Sequence, residues 1–424
     1  MTQHCRVDSA AVAGAGKPAG DKAQASATHR FGTWLPIVFL ARMTINIPSR
    51  IIYPFLPGLA RGLEIALPAA SQLVALRLVA GVGAPLFGPL ADRYGRRRLM
   101  EAALVVFTLA SLLLAGIGTF AAAATAFTLY GLAKVLYDPA VHAYVGDEVP
   151  YHKRGRAVGI LELSWSSAWL LGVPASGFLI ERFGWRAPWA ALIVIALLGA
   201  WLTHVGLPPA PRPATGKRSG SLVASTTATW RSLLRRRSVV VLLLASLLFT
   251  LAIEIPFIVY GAWLETAFGL SLSALGLAST VVGVAEAVAE LGTAAITDRL
   301  GKRRSVLIGM CGLAASLVVL PWLSRLGLAA ALAGVTLMML SFEFGVVSLL
   351  PLVTELAPEA RGSLFSLNVT AFSLSRALGA LAGGWLWQWQ NIALQAGVGA
   401  ACALVAALLF ARGITEDWTR INAD

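Results

Sequence analysis

Arg42, Asn46, Arg50 and Tyr53 recur at steps of 4, 4 and 3, which puts all of them on one face of a helix. Further along, Ser246, Thr250, Glu254 and Phe257 make a similar stripe. Both lie in strongly apolar surroundings, where an ionised side chain costs roughly several kcal/mol unless it is paired or hydrated. Arg77, Lys134, Asp138, Glu162, Glu286, Glu290, Glu343 and Arg376 share that setting, so eleven ionisable groups point to ion or proton handling. A carboxylate stripped of water as a cavity closes takes up a proton more readily. Glu254 is the first candidate for that role and Glu162 the second.

Their neighbours refine this reading. Pro48 and Pro54 beside the first stripe, and Pro256 beside the second, can bend their helices and free carbonyls toward a cavity. Lys134 and Asp138 stand four apart, one turn after Tyr130, and suit either a self-neutralised structural pair or a functional one. Glu162, Trp165 and Trp169 share a face, and aromatic rings in a polar cavity hold flat or cationic solutes. Gly172, Pro174 and Gly177 then form a small-residue seam suited to helix packing. Arg42 lies near a span end, from which it can snorkel to the interface or face the cavity. Glu290 also falls near a span end, one turn from Glu286, whereas Glu343 and Arg376 can pair across helices.

Membrane spans must hold these groups. The chain has 424 residues, of which 57% are hydrophobic and 13% charged, with a mean hydropathy of +0.74. Soluble globular chains carry about 25% charge. Apolar runs mark spans at 32–56, 70–91, 99–117, 120–146, 157–180, 187–206, 238–263, 272–296, 304–322, 327–353, 364–386 and 390–411. The first 30 residues are polar, with no run fit for a cleavable signal peptide, and are expected to be disordered. Cys5, Cys311 and Cys402 stand apart, without metal or redox spacing. There is no phosphate loop, ATPase motif or nucleophile–base set, so the expectation is a protein that is not an enzyme and needs no cofactor or metal.

The net charge of +13 reflects topology. Of 34 basic residues, 25 fall on the side of the chain termini, 4 on the opposite side and 5 within spans. That bias places both termini and the long middle loop in the cytoplasm and removes the case for nucleic-acid binding. The buried charges are themselves uneven: four cations and two anions in the first six spans, one cation and four anions in the last six. If they face one cavity, closure brings opposite fields together.

The chain also repeats itself. Asp92-Arg93-Tyr94-Gly95-Arg96-Arg97-Arg98 recurs as Asp298-Arg299-Leu300-Gly301-Lys302-Arg303-Arg304, an offset of 206. Arg154-Gly155 recurs as Arg361-Gly362, and Gly172 and Gly177 as Gly379 and Gly384, at 207. The expected organisation is a tail over 1–30, a six-helix bundle over 31–206, a linker over 207–237, a second bundle over 238–412 and a tail over 413–424. This is an all-α polytopic fold of twelve spans in two pseudo-symmetric halves, the architecture of alternating-access carriers.

Residues 88–100, GPLADRYGRRRLM, resemble the loop 2–3 signature of the major facilitator superfamily, through Gly88, Asp92, Arg93, Gly95, Arg96 and Arg97. The copy at Asp298, Arg299 and Gly301 and the Arg-Gly elements after spans four and ten are similar to that family too. The resemblance covers the whole chain and implies a twelve-helix carrier whose signature latches the outward-facing state. Asp92 can accept from Arg96 and from the N-terminal dipole of a neighbouring helix, with Gly88 allowing close approach. Lys134 stands where many members carry an arginine associated with proton transfer, but Asp138 replaces the glycine of that motif. Gly172 to Gly177 partly resembles the fifth-helix motif of proton-coupled antiporters, with Val173 separating a glycine and proline that are normally adjacent. The reading is a monomeric cell-membrane carrier for a small organic solute, driving efflux in exchange for protons. Proton-linked uptake of an organic anion is the alternative, favoured by Arg42, Arg50 and Arg77, and a non-transporting receptor on the same fold is a third.

Overall fold

A computed structural model of the chain describes residues 19–83, 94–208 and 229–414. Among these, all regular structure is helical. In chain order the helices are α1 (Ala19–Gly62), α2 (Leu67–Val79), α3 (Arg96–Gly116), α4 (Phe120–Glu148), α5 (Tyr151–Ser167), α6 (Val173–Phe183) and α7 (Ala187–Gly206). Then follow α8 (Arg237–Phe257), α9 (Tyr260–Phe268), α10 (Leu272–Ala278), α11 (Thr280–Leu300), α12 (Lys302–Arg325), α13 (Leu328–Glu355), α14 (Arg361–Leu386) and α15 (Ile392–Gly413).

Eleven helical stretches among the described residues are long and apolar enough to cross a membrane. The shorter α2 covers part of the span expected at 70–91, whose end lies outside the described residues. Leu171, Phe178, Val194, Trp201, Leu291 and Trp322 all point outward. Apolar surface on that scale requires lipid as its solvent. One boundary differs from expectation: α1 begins at Ala19, inside the tail expected to be disordered. Residues 19–30 carry several alanines, the best helix former, and extend a helix already nucleated in the span.

The two halves repeat one packing scheme. α3 lies against α4 and α7, as α12 lies against α13 and α15. α1 rests on α7, as α8 rests on α15. Gly95 and Gly301 open α3 and α12 at φ of 90° and 85°, a conformation that glycine alone adopts without strain. Just beyond them, Arg97 donates to the Leu207 carbonyl at 2.7 Å and Arg303 to the Ile414 carbonyl at 2.5 Å. Each arginine thus ties the third helix of its half to the end of the sixth, on what we call the terminal face.

Two local irregularities position the centre. Pro174 cannot donate a backbone hydrogen bond, and the turn before it, Ala168–Gly172, widens to π geometry and turns Trp169 inward. Pro256 precedes the break between α8 and α9, which aims Phe257 at the same place. Between the halves, α2 packs on α14, α6 on α10 and α1 on α9.

Candidate functional site

A small void of about 20 Å3, room for about one water, lies where the halves meet. Arg50, Trp169, Glu254, Phe257, Glu286, Glu343 and Arg376 line it, with Met339 and Phe342 on its apolar wall. Arg50 from α1 ion-pairs with Glu286 from α11 across the halves. Its guanidinium also lies over two rings, at 4.4 Å from the centroid of Trp165 and 5.3 Å from that of Trp169. Tyr53 donates to Glu254 Oε1 at 2.9 Å, a second bond between halves. Arg77, from α2, donates to the Ser49 hydroxyl and lies within electrostatic reach of Tyr53, Glu254, Arg376 and Arg50. Glu343 and Arg376 border the same void, but no ion pair within 4.0 Å joins them. Two arginines and three glutamates therefore line one small space, with Arg77 a third arginine within electrostatic reach of them.

A second polar layer lies nearer the terminal face. Arg42 donates to the Leu161 carbonyl at 2.6 Å and pairs with Glu162 at 3.1 Å and Asp138 at 3.4 Å. Lys134 pairs with Asp138 at 2.8 Å and donates to Asn46 Oδ1 at 2.8 Å, while Asn46 donates to Ser164 at 3.2 Å. His142 is 3.7 Å from Glu162. The Lys134 ammonium sits 4.0 Å from the centroid of Trp165, so that ring carries a cation from each layer.

Several expectations change in this light. Both stripes are buried along their length. Arg42 does not snorkel; it is held between two carboxylates and a carbonyl. Glu162, expected to share a face with Trp165 and Trp169 and to border the same void as Glu254, does not line it. Its side chain is 40% exposed and is drawn to Arg42, whereas Glu254 is 1% exposed. Glu290 accepts from Ser166 at 3.4 Å, a contact between halves.

Of the signature, Gly88, Asp92 and Arg93 lie outside the described residues. Arg96 pairs with Asp147 at 2.9 Å and Arg97 with Glu101 at 2.9 Å, both within the first half. Asp298 and Arg299 fall in the last turn of α11, and Gly301 makes the turn beyond.

The face opposite the termini is sealed between the halves. A Cβ on Gly261 would overlap the Pro54 backbone, and one on Gly177 would come within 2.7 Å of the Leu272 carbonyl. Arg61 pairs with Glu265 at 2.8 Å, and Glu181 accepts from the Ser273 amide at 2.7 Å. Sequence reasoning passed over this face, along with Ser49, Ser164 and His142. The available signal was a pair of opposite charges, Arg61 and Glu265, at the ends of the first and seventh spans.

A family model described as Major Facilitator Superfamily matches residues 36–262 and 242–423. An uncharacterized MFS-type transporter of Bacillus subtilis, YwfA, is 27% identical over 382 residues, covering 88% of this chain and 91% of that protein. A multi-drug resistance efflux pump PmrA homolog of Lactococcus lactis is 26% identical over 301 residues, 66% of this chain and 69% of its own. Among solved structures, a D-xylose-proton symporter superposes with a TM-score of 0.72 at 19% identity, covering 91% of this chain and 98% of that one. The nucleoside transporter NupG superposes at 0.75 with 12% identity, covering 89% and 99%. At such identities the likeness shows the fold.

Proposed function

The chain belongs to the major facilitator superfamily, and from that premise we propose that it exports a small organic solute by alternating access in exchange for protons. The observation that carries this reading is the Arg50–Glu286 pair between the halves. The space beside it holds about one water, so any solute must part the two side chains. Each is then free to take a new partner, which is how binding energy can drive a rearrangement of the halves. The multidrug-resistance names of the Lactococcus lactis relative and of a Bacillus subtilis relative, 25% identical over 361 residues, support the outward direction.

The basic bias of 25 to 4 supports a terminal face in the cytoplasm, with the sealed face outside. The bundles over 31–206 and 238–412 are the moving bodies and 207–237 their tether. Gly88, Asp92, Arg93, Gly95, Arg96 and Arg97, with Asp298, Arg299 and Gly301, latch the terminal face when the far face opens. Glu254 carries the proton, because it is nearly dry and its bond to Tyr53 breaks when the halves part. A monomer suffices, since one chain lines the whole void. A second reading, proton-linked uptake of an organic anion, draws support from Arg77, whose described hydrogen bond goes to a hydroxyl and not to a carboxylate.

The test is purified protein in liposomes under an imposed pH gradient, with solutes offered from either side. Gradient-driven movement out of the cytoplasm-equivalent side is expected, and Glu254→Gln should retain solute exchange while losing the response to the gradient. Absence of gradient-driven movement for every solute removes the coupling claim. Unchanged coupling in Glu254→Gln removes that residue from the role.

A further inference from the structure

Arg50 and Glu286 are 7% and 5% exposed, and each keeps one polar atom, Nε and Oε2, with no hydrogen bond. Parting them leaves a dry cation on the first half and a dry anion on the second. A buried ion that loses its partner is strongly destabilising. A solute with a single charge satisfies only one of the two.

We propose that the solute accepted in this void is a small zwitterion, an ammonium carboxylate, whose two ends replace Arg50 and Glu286 as each other's partners. The carboxylate takes the place of Glu286 on Arg50, and the ammonium takes the place of Arg50 on Glu286. This names the substrate class of the carrier proposed above and rests on that reading.

The walls are divided in the way such a solute requires. On the first half two residues that line the void, Arg50 and Trp169, each keep a donor without a hydrogen bond, Nε and Nε1. On the facing wall, Glu286 Oε2 is an acceptor without a donor, and Glu343 has no ion pair within 4.0 Å. The ring of Trp169 now stacked by Arg50 offers the incoming ammonium a cation–π surface once the guanidinium has moved. Met339, Phe342 and Phe257 give the apolar body of the solute a place to lie. When the void is empty the carrier pairs its own two ends, and when it is full it pairs them through the solute. Both forms carry the same net charge at the centre, because a zwitterion adds none.

The experiment is binding to the full chain in lipid nanodiscs, followed by calorimetry. A panel of ammonium carboxylates from glycine to tryptophan in size is the first probe set. Phenylalanine, its methyl ester and its N-acetyl derivative then compare a zwitterion, a cation and an anion on one body. A member of the panel should bind about a hundredfold more tightly than its ester or its N-acetyl form, the cost of stranding one buried ion. Glu286→Gln should turn the preference to the N-acetyl anion, and Arg50→Gln to the ester cation. A residue that merely holds the fold does not invert a charge preference. Should either single variant fail to fold, the charge-balanced double variant R50Q/E286Q should prefer the neutral N-acetyl methyl ester. Preference of the wild type for a singly charged form, or failure of the whole panel to bind, overturns the assignment. Solute counterflow in liposomes separates the two claims. Binding of the zwitterion without counterflow removes the carrier and leaves the site, whereas counterflow confined to the ester or the N-acetyl form does the reverse.

Discussion

Arg50 and Glu286, 236 positions apart in the chain, meet as a nearly dry ion pair at the junction of the two halves. Removing one member of such a pair costs more than removing both, because the survivor has no partner. Arg50→Gln and Glu286→Gln should each destabilise the folded protein by about 3–5 kcal/mol, and the double variant by much less than their sum. Denaturant unfolding of all four proteins in detergent gives the cycle. Strict additivity would sever the link between the two side chains.

The far-face seal should respond to a single methyl group. A Cβ at Gly261 has nowhere to go but into the Pro54 backbone. Gly261→Ala should therefore move the equilibrium toward an arrangement open at that face, by roughly 1–3 kcal/mol. Thr266 lies in the depression beside the seal, and a cysteine placed there reports the change as faster reaction with a membrane-impermeant thiol reagent. An unaltered labelling rate counts against the seal.

Arg97 and Arg303 hold equivalent carbonyls in the two halves. Replacing either by Met keeps the stem and removes the charged donor, at a cost of about 1.5–3 kcal/mol. The two sites share no partner, so the double variant should lose the sum of the two. Thermal unfolding in detergent checks both the size and the additivity.

The layer nearer the terminal face separates two carboxylates that the sequence makes look alike. Asp138 serves both Arg42 and Lys134, whereas Glu162 is half-exposed and shares Arg42 with a carbonyl and with Asp138. Asp138→Asn should destabilise by about 2–3 kcal/mol and Glu162→Gln by no more than about 1 kcal/mol. The same unfolding measurement ranks them, and a reversed order would mean that Glu162 anchors the layer.

Much of this site was legible because it is written in helical period. The stripes through Arg50 and Glu254 keep their spacing from sequence to structure, and the apolar context made their charges conspicuous. Glu162 was misplaced for a local reason. It stands seven residues before Trp169, about 10 Å along the helix, and so falls in the layer of Arg42 and not at the void. Ser49 could not be singled out, since serine is common and only the fold brings it to Arg77. Arg61 enters the sequence reading only as one of four basic residues on the far side, and its meeting with Glu265 depends on how two halves dock, which no single helix encodes. The doubled signature, by contrast, foretold the paired glycine turns at 95 and 301 and the shared packing scheme.

Main chain pressed against main chain at Gly261 and Pro54 is indifferent to the cargo below it. Side chains around Arg50 and Glu286 can be exchanged over evolutionary time, and new solutes admitted, with the closure beyond them left as it is. The molecule thus keeps its machinery for moving apart from its machinery for choosing. Variation among descendants should accumulate in the second far faster than in the first.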